Sequence, residues 1–260
     1  MLKVRVIPTL LLKNYGLVKG ISFDSWRRVG TVLPAINVYN SRNVDELILV
    51  DIEASNQNRE FSIDSVNDVA DNCFVPLSIG GGINDVSSAT KLIENGCDKV
   101  TINSAIFSNP KLITQLADLF GSQAVVASID AYYEKNNYTC FSHSGKKNQM
   151  QNPLEIAKKV QDLGAGEILL TSINNDGKME GYDYKLTELV SNGVSVPVIA
   201  SGGAGNSSHM LTVIKECGAS AVAAASIFHF TEVTPNDIKE HLRKNKIPVR
   251  DSNWTLYPIK

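Results

Sequence analysis

Cysteine is scarce in this chain, and its four copies, Cys73, Cys97, Cys140 and Cys217, stand far apart with no CxxC pair. That spacing excludes a zinc knuckle and a disulfide framework, and it fits thiols kept reduced as small core residues. The four histidines, His143, His209, His229 and His241, show no metal-like spacing, so no metal and no cofactor is expected. Charge of one sign is missing too. With 25 lysines and arginines against 27 aspartates and glutamates, the net charge of -2 leaves no footprint for nucleic acid. No apolar run approaches the roughly 18 residues of a membrane span. The opening MLKVRVIPTLLLK is apolar enough for a signal peptide, but Lys3, Arg5 and Pro8 interrupt it and favour a first strand. The expectation is a cytoplasmic protein with neither a membrane nor a nucleic-acid partner.

What the chain does have is glycine at chosen points. PVIASGGAGN, Pro197 to Asn206, is an apolar run entering a glycine turn and then a polar helix start. Glycines let backbone N–H groups approach an anion, and Asn206-Ser207-Ser208 can cap a helix whose positive end faces the same place. A near copy, PLSIGGGIND, runs from Pro76 to Asp85, and a shift of 121 residues carries Gly81 onto Gly202. Within two residues, the same shift lays ILVDI at 48–52 on ILLTS at 168–172, and Leu11 on Asp130. Two similar halves, each with a phosphate seat, are the simplest reading. The ligand then carries a phosphate at each end.

Eight apolar runs recur, at 4–10, 46–52, 74–79, 99–102, 124–129, 167–171, 196–200 and 221–225, separated by helix-spaced segments such as Val86, Ala89, Leu92 and Ile93. Unbroken hydrophobicity marks parallel strands covered on both faces. An open doubly wound sheet alternates in the same way, but eight units in two halves, with glycine turns after the third and seventh, favour a closed (β/α)8 barrel over 1–250. A tail follows at 251–260. The residues just after each strand then form one polar, glycine-rich rim, where active sites of this fold sit. The stretch 13–30 is long enough to be a lid over that rim. A hairpin around Lys135-Asn136-Asn137, followed by the basic SGKKN, is expected after the fifth strand. At the opposite rim Arg5, Glu46, Lys99 and Glu167 each stand at the mouth of a strand. Spacing alone favours four unrelated surface charges; charges pointing inward would have to pair.

LVDIEAS, SIGGGI, DKVTINSA, FGSQAVVASID, GAGEILLTSINNDGKMEGYD, VPVIASGGAG and ASIFHF occur in order along the chain. With these motifs it resembles, over nearly its whole length, the HisF family, the cyclase subunit of imidazole glycerol phosphate synthase. The resemblance implies an α/β fold, a single (β/α)8 TIM barrel built from two similar half-barrels. It implies a HisH-like glutaminase docked on the floor and ammonia passing through the barrel to a phosphorylated small molecule at the top. It makes Arg5, Glu46, Lys99 and Glu167 an ammonia gate, which reverses the reading from spacing, and Asp98 and Gln123 contacts to the glutaminase. Gly82, Asn103 and Ser104 would hold one phosphate, and Asp176, Gly177, Gly203 and Ser226 the other. Lys19 matches the lid lysine, and Asp51 and Thr171 lie on the substrate-facing rim. The family's chemistry uses two aspartates as acid and base, and Asp130 matches the second.

The first aspartate is missing. Where the family reads CLDVKDG, this chain reads TLLLKNYG from Thr9 to Gly16, with Leu11 at the catalytic position. General acid or base action contributes about 100-fold to 10,000-fold per group, so a cyclase with an alkyl group there is expected to be crippled. The chain thus looks most like the divergent second-copy HisF-like proteins of surface-polysaccharide pathways. There, ammonia is handed to a sugar amidotransferase that forms an acetamidino group on an N-acetyl sugar. The alternatives are a true histidine-pathway cyclase in which Asp51 or Lys19 covers for Leu11, and a non-catalytic phosphosugar-binding scaffold.

Overall fold

Strand β1 (Arg5–Lys13) shows why its apolar run is unbroken: Val6, Leu10 and Leu12 join the core beneath the helices, while Ile7 points to the centre of a second, inner core. The computed structural model describes residues 3–14 and 16–251; of the expected tail, 252–260, with Trp254, lies outside the described residues. After β1 come β2 (Leu47–Asp51), β3 (Leu77–Gly80), β4 (Lys99–Ile102), β5 (Val125–Glu134), β6 (Glu167–Ser172), β7 (Val198–Ser201) and β8 (Ala221–Ala224). Each pairs in parallel with the next, and β8 returns to β1, so the eight strands close into a (β/α)8 barrel. Helices α1 (Val32–Ser41), α2 (Ile63–Asn72), α3 (Val86–Glu94), α4 (Lys111–Phe120), α5 (Pro153–Asp162), α6 (Tyr184–Ser191), α7 (Ser207–Lys215) and α8 (Pro235–Lys244) cover the outside.

The internal repeat of the sequence is a repeat in space. Asp85 caps α3 by accepting from Ser88 N, and Asn206, 121 residues on, caps α7 by accepting from His209 N. Gly81 and Gly202 have φ of 103° and 88°, a left-handed conformation that disfavours side chains. Each also packs against a backbone carbonyl of the preceding strand end: a Cβ would collide with Asp51 O at Gly81 and press on Ser172 O at Gly202. Each half adds a five-residue helix that the sequence pattern did not reveal, Ser104–Ser108 and Ser226–Phe230. Register matches as well: Leu11 lies beside Val50, and Asp130 beside Thr171.

Two elements depart from expectation. The stretch foreseen as a lid loop is a β-hairpin, Gly16–Ile21 with Asp24–Gly30, whose first strand pairs with the upper end of β1. Its alternation is masked in the sequence by polar residues on both faces, so only its length was visible. The third strand starts at Leu77 and not at residue 74, because Pro76 has no N–H to give a ladder and serves only as an acceptor, from Leu47 N. The hairpin after β5 is as expected: Lys135 and Asn136, with φ of 51° and 62°, turn the chain into strand Asn137–Ser142.

Replacing Gly81 with alanine puts a side chain on a left-handed backbone and into the Asp51 carbonyl. The expected outcome is a loss of about 1–3 kcal/mol, measured as a fall in the urea unfolding midpoint.

Candidate active site

From floor to rim, the inward-facing residues of the barrel form distinct layers. At the floor Arg5 donates to Glu46 (2.6 Å) and to Glu167, and Lys99 donates to Glu46 (2.9 Å) and Glu167 (2.7 Å). The four side chains make a closed ring of alternating sign. Burial pushes the Glu167 carboxyl upward, but hydrogen bonds and charge from Arg5 and then Lys99 outweigh it and hold the group below its ordinary value. Its contribution to stability is therefore present above the usual carboxylate pKa and lost as pH falls. Above the ring Ile7, Ile48, Val126, Leu169, Ile199 and Ala223 form an apolar collar. Beside the collar, where Ser78 lies next to Ile48, Ser78 and Thr101 bond each other at 2.7 Å. Asp98 and Gln123 are exposed beside the mouths of β4 and β5, where Asp98 accepts from Leu77 N and Gln123 donates to Phe120 O.

Over these layers opens a cleft that communicates with solvent. Its wall brings together nearly every residue expected at the rim: Lys19, Asp51, Gly82, Asn103, Ser104, Asp130, Thr171, Asp176, Gly177, Gly203 and Ser226. Leu11 lines the same cleft.

The carboxylates are not equivalent. Asp51 Oδ2 is paired with Arg59 at 2.7 Å, and its Oδ1 accepts from the backbone N–H groups of Glu53 and Ala54. Asp176 Oδ2 is paired with the buried Lys19 Nζ at 2.5 Å. Asp130, 8% exposed, faces Asn103 Nδ2 at 3.2 Å. Burial, and then the charge of Asp176, push the Asp130 carboxyl up to about 7, so near neutrality it can give or take a proton. Among the described residues lining the cleft, these three aspartates are the only carboxylates, and none fills the space beside Leu11 with a free acid.

The hairpin lies down over this cleft. Ser22 N donates to Asp176 O at 2.8 Å, Gly177 packs where a Cβ would strike the Gly20 carbonyl, and Arg27 sits 3.8 Å over the Phe230 ring. Phe23 and Trp26 reach the cleft wall from this hairpin. Burial, and then the charge of Lys19, pull His229 down to about 4, so that imidazole adds no charge near neutral pH. One residue passed over in the sequence takes part in a seat: His209 Nδ1 accepts from Gly205 N at 3.2 Å and steadies the second glycine turn. Its position three residues past the Asn206 cap was the available signal. Ser226 Oγ is buried and makes no hydrogen bond within the protein, and it faces the same end. No group of three or more His, Cys, Asp or Glu among the described residues is arranged to hold a metal ion.

A family model described as histidine biosynthesis protein matches residues 5–234. The HisF subunit of imidazole glycerol phosphate synthase from Pelodictyon phaeoclathratiforme is 45% identical over 250 residues, 96% of this chain and 100% of that protein. The chain belongs to the HisF family of histidine biosynthesis proteins. Proteins of the same name from Hydrogenobaculum sp. and Pyrococcus furiosus are 45% and 44% identical, each over 96% of this chain and over 100% and 99% of their own lengths. Within the HisF family, then, this chain combines a paired floor ring with a cleft in which Leu11 stands opposite the half that carries Asp130. No helix among the described residues is long and apolar enough to cross a membrane.

The Asp130 carboxyl is expected to titrate near pH 7 in carbon-13 NMR, and Asp176→Asn to lower that midpoint by removing a neighbouring negative charge. Because the folded value is raised, the stabilisation from protonated Asp130 is full below about pH 4 and lost as pH rises through about 7. Asp130→Asn is expected to flatten that part of the stability profile.

Proposed function

We propose that the chain is the barrel subunit of a glutamine amidotransferase system, receiving ammonia from a HisH-like glutaminase docked at its floor and using it at the upper cleft. The observation that carries this reading is the four-charge ring sharing one axis with a cleft that has two glycine turns and the buried carboxyl of Asp130. The exposed Asp98 and Gln123 supply polar contacts for the docked subunit. Gly82, Asn103 and Ser104 would take one phosphate of the ligand. Gly177, Gly203 and Ser226 would take the other, with backbone N–H groups and the Ser226 hydroxyl as donors. A carboxylate has no hydrogen to donate to a phosphate, so Asp176 serves that end by holding Lys19 in place.

For the acceptor, the names of the relatives favour the histidine pathway: a synthase subunit that joins ammonia to a bis-phosphorylated nucleotide, closes the imidazole ring and cleaves the ligand. In that reaction Asp130 acts as the acid or base of its half. Asp51 and Lys19 are poor stand-ins for the missing partner, since each is already engaged in a short ion pair.

Leu11 supports a second reading, in which the barrel is chiefly a conduit that hands ammonia to a sugar amidotransferase forming an acetamidino group on an N-acetyl sugar. An alkyl side chain cannot move a proton, and no free carboxylate stands in its place. A phosphosugar-binding scaffold without chemistry explains the glycine turns but gives the floor ring no work.

The purified protein, ammonium chloride and the phosphoribulosyl formimino aminoimidazole carboxamide nucleotide separate these readings. Turnover like that of an ordinary synthase subunit is the outcome expected of the histidine-pathway enzyme. Slow turnover that rises about 100-fold or more in Leu11→Asp supports the conduit. Lys99→Ala is expected to reduce glutamine-dependent product while leaving ammonium-dependent product unchanged; equal loss of both removes the axial path from the proposal.

A further inference from the structure

Thr9 stands one step below Leu11 and one above Ile7 on the inward face of β1, so it marks the level at which the apolar collar gives way to the cleft. Its Oγ1 is buried and makes no hydrogen bond within the protein, although the residue lines the cleft. Two other buried hydroxyls of the barrel differ: those of Ser78 and Thr101 satisfy each other at 2.7 Å. A buried hydroxyl with no internal partner weakens the fold unless something else bonds to it. Ammonia emerging from the collar has three N–H donors and one lone pair, and Ile7, Ile48, Val126 and Leu169 offer it nothing. The first available polar atom on the β1 side is Thr9 Oγ1.

We infer that Thr9 is the ammonia-binding station at the inner mouth of the cleft. Its hydroxyl accepts an N–H from ammonia while donating to the lone pair of a second small polar molecule, or donates to the ammonia lone pair until the acceptor is in place. No bond is made or broken at Thr9. The side chain holds the nucleophile below the Leu11 wall, on the path toward Asp130 in the opposite half. This rests on the proposal that ammonia enters along the axis.

The test uses the full chain and its Leu11→Asp variant, with ammonium chloride as the probe and the nucleotide named above as acceptor. Thr9→Val keeps the shape and removes the hydroxyl; Thr9→Ser keeps the hydroxyl. Expected are a rise of about tenfold in KM for ammonium in Thr9→Val, kcat at saturating ammonium and KM for the nucleotide within about twofold, and recovery in Thr9→Ser. Thr9→Val is also expected to raise the melting temperature, because the lost hydroxyl had no partner inside the protein. An unchanged KM for ammonium in a folded Thr9→Val, or a clear fall in its melting temperature, overturns the assignment of Thr9. If neither the chain nor Leu11→Asp turns the nucleotide over with ammonium, the synthase chemistry and the Thr9 station fall together. If turnover is present but Lys99→Ala leaves the glutamine-dependent reaction intact, only the axial entry is lost, and the KM result still decides Thr9.

Discussion

Four charges brought to one ring by four different strands must satisfy one another, and the proposed path through the barrel depends on that balance. Glu46 is almost wholly buried, and Glu167 and Lys99 nearly so. Removing one member of such a set typically costs about 3–5 kcal/mol when fully buried, because the others are left unpaired; the partial exposure of Arg5 reduces that here. Apolar residues would hold the floor together at less cost. A paired ring can however admit a small polar molecule by exchanging one contact for another, whereas packed leucines cannot. The charge pattern is thus a poor device for stability and a good one for passage, which is why it supports the proposed path.

The architecture was legible because its strands are covered on both faces. Continuous apolar runs, glycine turns and a repeat of 121 residues suffice to name a closed barrel of two halves. The ring was not legible from spacing, since Arg5 and Glu167 lie far apart in the chain and nothing local says that their side chains face each other. There the family resemblance corrected the bland reading. The hairpin over the rim was seen only as length, because its first strand pairs both with β1 and with its own second strand, a pairing that alternation in polar residues does not announce. Which rim residues share one cleft could be foreseen; which of them are already engaged could not. Asp51 and Lys19 look free in a sequence, and only coordinates show Arg59 and Asp176 at their sides.

The two halves of the cleft now differ in chemistry while sharing a backbone plan. Matching registers place Leu11 and Asp130 at equivalent rungs, and matching left-handed glycines stand above both. One half retains a carboxyl poised near neutrality; the other presents Leu11 and Val50 to the same space. A fold assembled from duplicated units tolerates this divergence because each unit's packing is local. The substitution alters what the cleft can do without disturbing what holds it open.

The buried contact between Lys19 and Asp176 has a consequence for proton traffic. An anionic ligand arriving at the second seat competes for the Lys19 ammonium, and success leaves the Asp176 carboxylate without its counter-charge, close enough to Asp130 to be felt there. The electrostatic response is felt at Asp130, whose carboxyl is held more firmly in its protonated form. Occupation of the second seat would therefore favour the acid form of Asp130, so that the arriving ligand helps to ready the group that serves it.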